Sequence, residues 1–90
     1  MIVIPLYAKQ KALRAYSLPS KSKKRVSKEF TELNKKLLKN TFLSFKDAKV
    51  INNFYDKYRK KKDGYTEMRF LFVGGREFSR KVKKELVNKK

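Results

Sequence analysis

The sequence predicts an α+β fold: two helices packed on a small mixed or antiparallel sheet with a C-terminal β-hairpin. Three observations predict it. Between Tyr65 and Val73, Thr66, Met68, Phe70 and Phe72 alternate with Glu67, Arg69, Leu71 and Val73, the period-two pattern of a half-buried strand. Gly74-Gly75 then supplies two residues that accept positive φ, as a two-residue hairpin turn requires. Upstream, two stretches carry apolar residues at the spacing of an amphipathic helix. The tail itself is open on period, because Phe78, Val82 and Leu86 suit one face of a helix and one face of a strand alike. Turn chemistry favours a returning strand. The competing reading is a helix starting at Gly75, whose free N–H groups can hold a phosphate.

The elements follow in order within a single domain, residues 1–90: a basic segment (1–19), two helices (20–62) and the hairpin (63–90). Ile2 to Ala8 suits a short strand that Pro5 confines to an edge or breaks. Lys9 to Tyr16 forms either a short helix or a second strand, basic in both cases through Lys9, Lys11 and Arg14. Ser17-Leu18-Pro19-Ser20 is a break, since the residue before a proline leaves the helical region. The first long helix starts near Ser20 or Ser22 and runs to about Asn40, with Val26, Phe30, Leu33 and Leu37 as its stripe. Its first turns hold Lys21, Lys23, Lys24, Arg25 and Lys28, cations that oppose the helix dipole and that an external polyanion would relieve. A solvated, lysine-rich helix end is the plainer alternative. Thr41 to Lys62 is the second helix, opened by a capping box of Ser44 and Asp47 and ended by Gly64. Arg59-Lys60-Lys61-Lys62 suits the last turn of that helix and phosphate contact equally. Phe70 and Phe72 alternate as a base-stacking platform would, but so short a chain needs these rings for its core.

Composition narrows the function. Ninety residues carry 26 Lys and Arg against 8 Asp and Glu, a formal charge of +18, with no Cys and no His. That excludes zinc sites, thiol nucleophiles, disulfides and the usual general base. The few carboxylates show no spaced cluster; Asp47 and Glu29 serve helix starts and Asp63 a turn, so no enzyme, cofactor or metal is expected. Such self-repulsion calls for an anionic partner, and nucleic acid fits best through counterion release. The charge lies on every element, unlike the one-sided amphipathic helix of a membrane-surface binder, and no apolar run approaches the roughly 20 residues of a membrane span. The start, Met1 to Lys11, does not read as a signal or transit peptide.

Several stretches resemble one family. Gly64-Tyr65-Thr66, followed at a fixed interval by Glu85-Leu86-Val87, resembles the G-Y-T and E-L-V stretches of the bacterial-type large-subunit ribosomal protein L-seventeen family. Asp47, Val50, Ile51, Phe54 and Tyr55 look like that family's D-x-x-V-V-x-x-L-F helix. Tyr16-Ser17-Leu18-Pro19 with Lys21 and Lys23 is similar to its T-T-L-P-K-A-K stretch before a long helix. The departures are Asp63 in place of a glycine, Glu67 in place of an arginine with Arg69 two positions on, and a Gly74-Gly75-Arg76 turn that only approximates the family's. The match covers about three quarters of the chain as an order of elements; the family's basic N-terminal helix has no counterpart in Met1 to Ala15.

The resemblance implies that Phe78 to Asn88 returns as a strand beside Tyr65 to Val73. It also implies a structural constituent of the large ribosomal subunit, bound to ribosomal RNA backbone near the peptide exit among neighbouring ribosomal proteins. The expected RNA-binding residues are Lys9, Lys11, Arg14, Lys21, Lys23, Lys24, Arg25, Lys28, Arg59, Lys60, Lys61, Lys62, Tyr65, Arg69, Arg76 and Arg80. The missing elements and heavy lysine content indicate an organelle-encoded mitochondrial ribosomal protein, with bacterial cytoplasm as the alternative. The main rival is a small basic DNA-binding protein, of phage or nucleoid type, with Gly75 to Lys90 as a recognition helix. A helical tail would speak for that rival. A carboxylate-dependent nuclease acting through Glu67 or Asp63 is the second.

Overall fold

Pro5 ends one element and starts the next. The computed structural model describes residues 2–88. In it β1 (Ile2–Val3) runs into Pro5, whose carbonyl accepts the Ala8 and Lys9 N–H groups at the head of α1 (Leu6–Tyr16). A proline at this boundary has no N–H to leave unpaired, and its fixed φ suits a helix start. The chain continues through α2 (Ser20–Lys23), α3 (Lys28–Lys39), β2 (Phe42–Leu43), α4 (Phe45–Tyr58), α5 (Gly64–Phe72) and α6 (Arg76–Asn88). β1 and β2 pair antiparallel, Ile2 opposite Leu43 and Val3 opposite Phe42. This two-stranded ribbon is the whole sheet among the described residues.

The expected α+β fold with a C-terminal β-hairpin is therefore corrected. The described part of 63–90 holds two helices, α5 and α6, in place of two strands. Asp63 opens α5: its carboxylate accepts the Thr66 N–H at 2.8 Å and the Thr66 hydroxyl at 3.0 Å, the side-chain cap of a helix start. Thr66, Phe70 and Phe72 are all buried because α5 packs against α1, α3 and α6 and lays Phe70 on the rings of α4. A helix covered on several sides loses its single stripe, and here the residue mixture imitates strand alternation.

Gly74 and Gly75 do take positive φ, +94° and +91°. They use it to end a helix. The Gly75 N–H donates to the Phe70 carbonyl at 2.7 Å and the Gly74 N–H to Leu71 at 3.1 Å, the paired bonds of a Schellman motif. The Gly75 carbonyl then accepts the Ser79 N–H and hydroxyl, both at 3.1 Å, so the same residue opens α6. The helix starting at Gly75, weighed against the hairpin from the sequence, is the arrangement found.

The other boundaries shift less. The long helix expected from Ser20 to Asn40 is broken into α2 and α3 at Lys24–Ser27, and the one expected over Thr41–Lys62 narrows to α4. Its start is the expected one, with the Asp47 N–H donating to the Ser44 hydroxyl at 3.2 Å. Gly64 begins α5 instead of ending α4. The stretch Lys9 to Tyr16 is helical, within α1.

Two packing units share the core: α4 lies on α6, and α1 lies on α3 and α5. Aromatic rings join them, Phe30 to Phe54 at 4.7 Å edge-on and Phe54 to Phe70 at 4.5 Å. Phe70 and Phe72 are each 1% exposed, so both are core as expected. Buried Asn34 donates its amide to the Ala12 carbonyl at 2.8 Å and the Phe72 carbonyl at 3.2 Å, tying α3 to α1 and to the end of α5.

Two glycine substitutions test this helical junction, and the one at Gly64 separates it from a hairpin. A Cβ on Gly74 would stand 2.7 Å from Phe78 and 3.1 Å from Ala8 in a left-handed conformation. Gly74→Ala is expected to cost about 2–4 kcal/mol in urea denaturation, from strain and overpacking together. A Cβ on Gly64 meets nothing within 4 Å. Gly64→Ala is expected to stabilise by about 0.5 kcal/mol because α5 starts there; in a strand-turn region it would not.

Candidate nucleic-acid interface

Two stretches far apart in sequence carry dense exposed charge: Lys24 to Lys28, across the connection between α2 and α3 into the first residue of α3, and Arg59 to Lys62, between α4 and α5, where Lys61 pairs with Asp63 at 3.8 Å. The fold brings them together. Tyr65, in the first turn of α5, donates its hydroxyl to the Arg25 carbonyl. From the head of α6, Arg76 donates to the Arg59 carbonyl at 2.9 Å and to the Lys61 carbonyl, and pairs with Glu67 at 2.6 Å. Its guanidinium also lies 4.3 Å from the centre of the Phe70 ring. The backbone of Arg59–Lys62 is thereby held, while the side chains of all four remain exposed. The result is a basic pole formed by Lys24, Arg25, Lys28, Arg59, Lys60, Lys61 and Lys62.

An aromatic cluster forms its floor. The Arg69 guanidinium sits 4.5 Å from the Tyr58 ring centre, 4.6 Å from Tyr65 and 5.2 Å from Phe54. Its Nε is buried without a hydrogen-bond partner. The Tyr58 phenol is pushed below its ordinary pKa, chiefly by hydrogen bonding to Arg69 and then by the charge of Lys57. Beside it a cleft of about 330 Å³ opens between α3 and α4, lined by Glu29, Phe30, Phe54, Lys57 and Tyr58 among others.

The sequence-expected contacts divide by role. Lys24, Arg25, Lys28, Arg59, Lys60, Lys61 and Lys62 lie exposed on the two stretches tied by these contacts, and Tyr65 and Arg69 lie on α5 beside them. Lys23 stands at its margin, 4.6 Å over the Tyr16 ring, with Lys21 exposed on α2. Lys9 does something else: its ammonium donates to the Leu37 carbonyl at 2.9 Å and the Asn40 carbonyl at 2.6 Å, closing the end of α3. The stem of Lys11 lies against Gly75, Arg14 is exposed in the last turn of α1, and Arg80 reaches the Tyr55 hydroxyl at 3.4 Å. Arg76 is a clamp. Lys57 and Tyr58 belong to the pole and were missed, because Tyr58 completes the apolar stripe of α4; their direct continuation into Arg59 was the available signal.

The tail is helical, the outcome that speaks for the DNA-binding rival; yet a recognition helix presents its N-terminal residues to base edges, whereas in α6 Arg76 is engaged internally and Phe78 and Ser79 are buried. The carboxylates are dispersed: Asp47 pairs with Lys36 at 3.3 Å, Asp56 with Lys83 at 2.7 Å, Glu67 with Arg76, and Asp63 caps α5. Among the described residues no group of His, Cys, Asp and Glu is arranged to hold a metal, and no helix is long and apolar enough to cross a membrane. No protein family, no curated protein and no solved structure matches the chain.

The Asp63 cap gives the pole a pH dependence. Its carboxyl is held below the ordinary carboxylate range, first by the Thr66 N–H. A depressed folded-state pKa contributes stability above the unfolded value that is lost as pH falls through the folded one. Acid titration by circular dichroism should show this loss below about pH 4 in the wild type and a reduced loss in Asp63→Asn, which keeps a capping oxygen.

Proposed function

We propose that this protein is a non-catalytic nucleic-acid-binding domain that holds the phosphate backbone of structured RNA at the basic pole. The observation that carries the reading is the Tyr65 hydroxyl on the Arg25 carbonyl, which unites two cation-bearing connections into one surface. Charge alone would allow binding anywhere on a chain of formal charge +18. The pole adds direction, because its cations are exposed on braced backbone while others, such as Lys9 and Lys83, are committed to internal partners. Loops rather than a free helix row form the surface, which suits recognition of backbone and shape over base edges in a groove.

Large-subunit ribosomal RNA, the partner implied by the sequence resemblance, is the particular instance we propose to test. The hairpin that joined the chain to that family is absent, so this finer reading stands on the motif order and the charge. Sedimentation of tagged protein with the large subunit, released when magnesium is withdrawn, would support it. Sedimentation at the top of the gradient would leave the general reading and remove the ribosomal one.

The general reading is tested by salt titration of binding to a labelled RNA hairpin. Log affinity should fall linearly with log salt, by about 0.7–0.9 per phosphate neutralised. Lys60→Glu/Lys61→Glu should weaken binding strongly and lower that slope by about two. Lys46→Glu/Lys49→Glu makes the same change of net charge on exposed positions of α4 away from the pole, and should do much less. Equal effects of the two double variants would show that only net charge matters.

A further inference from the structure

We infer that the outer face of Tyr65 is a stacking platform for a single unpaired nucleobase, so that the pole selects looped-out or single-stranded nucleotides. This deepens the proposed function and rests on it. Tyr65 is 43% exposed, unusual for a ring fixed so firmly. Its hydroxyl is anchored to the Arg25 carbonyl, and one face lies on the Arg69 guanidinium, 4.6 Å from the ring centre. No second ring or cation covers the other face among the described residues.

A ring held at its tip and along one face loses little freedom when a base stacks on it, and it cannot rotate away. Arg69 is itself wedged among Tyr58, Tyr65 and Phe54 with its Nε buried, so it serves as backing for the ring and not as a free phosphate ligand. The phosphates on either side of a stacked nucleotide would meet the cations of the two connections: Arg25 follows Lys24 on the side the hydroxyl touches, and Lys60 to Lys62 shortly precede Tyr65 in the chain. Stacking on an exposed aromatic face flanked by cations is how unpaired bases are held without regard to sequence. A duplex offers no free base face, so it would engage only the cations.

The test compares three probes of equal length, a single-stranded RNA, an RNA hairpin with an open loop and a blunt RNA duplex, against the full chain and two variants. Tyr65→Phe and Tyr65→Leu both lose the hydroxyl bond to Arg25, so any loosening of the pole falls on both alike. Relative to Tyr65→Phe, Tyr65→Leu should weaken binding to the single strand and the loop about tenfold, with the two variants equal in duplex affinity and salt slope. Tyr65→Phe keeps the ring and should retain most of the preference. A 2-aminopurine in the loop should change its fluorescence on binding the wild type and Tyr65→Phe, and not Tyr65→Leu; should Tyr65→Leu fail to fold, the other two proteins and the three probes decide. Equal affinity of the wild type for duplex and single strand, or equal weakening of both in Tyr65→Leu relative to Tyr65→Phe, overturns the platform. If binding still depends on salt and on Lys60 and Lys61, only the platform has failed. If no RNA binds with a salt-dependent affinity, the pole itself has failed and the platform with it.

Discussion

The Arg76 guanidinium is the interaction on which the rest of the structure depends. It stands where α5, α6 and the connection after α4 meet, and it makes a different kind of contact with each. Two neutral carbonyls of the most basic stretch in the chain accept from it, Glu67 balances its charge, and the Phe70 ring covers one face. An arginine can do this where a lysine could not, because its planar fork reaches two carbonyls and a carboxylate at once while its faces remain free to stack. The arrangement is partly desolvated, with 21% of the side chain exposed, so removing any one partner would leave the others poorly satisfied. Charge that would otherwise repel the Arg59–Lys62 run is here used to hold its backbone.

That contact also explains how a chain of formal charge +18 sustains a core at all. Part of the positive charge is turned inward onto helix ends and carboxylates: Lys9 on the carbonyls closing α3, Lys36 on Asp47, Lys83 on Asp56, Arg69 on three rings. Exposed pairs of this kind contribute little individually. Their effect is on distribution. They engage cations on the flanks of the molecule and leave the cations of the two connections exposed, Lys61 among them paired with Asp63 at 3.8 Å. Local self-repulsion is therefore concentrated where an external polyanion would relieve it.

What could be read from the sequence follows from how local each determinant is. Ser44 with Asp47, the stripe of Phe30, Leu33 and Leu37, and the burial of Phe70 depend on near neighbours or on plain hydrophobicity, and they were legible. Gly74-Gly75 was legible as a positive-φ pair but not as to its use, because a hairpin turn and a Schellman junction ask the same of the backbone. The arbiter was Asp63 with Thr66 three residues on, a helix start that also reads as a turn. The apolar pattern of α5 could not decide, since a short helix buried on several sides has no single stripe. The break between α2 and α3 was likewise invisible, as Val26 continues the helical spacing although it lies outside both helices.

The candidate site was legible in kind and not in composition. Charge and the absence of Cys and His point to the polyanion-binding role proposed above, and both runs of the pole were named from the sequence. Nothing local distinguishes Lys9, which closes a helix, from Lys24, which stays free; the difference is the distant carbonyls of Leu37 and Asn40. The same holds for Arg76. Tyr65 is the instructive case, because its place depends on a carbonyl forty residues upstream. A surface assembled by one such bond is specified by the fold and not by any stretch of chain, which is why a basic sequence that matches no known family can still carry one defined cationic face.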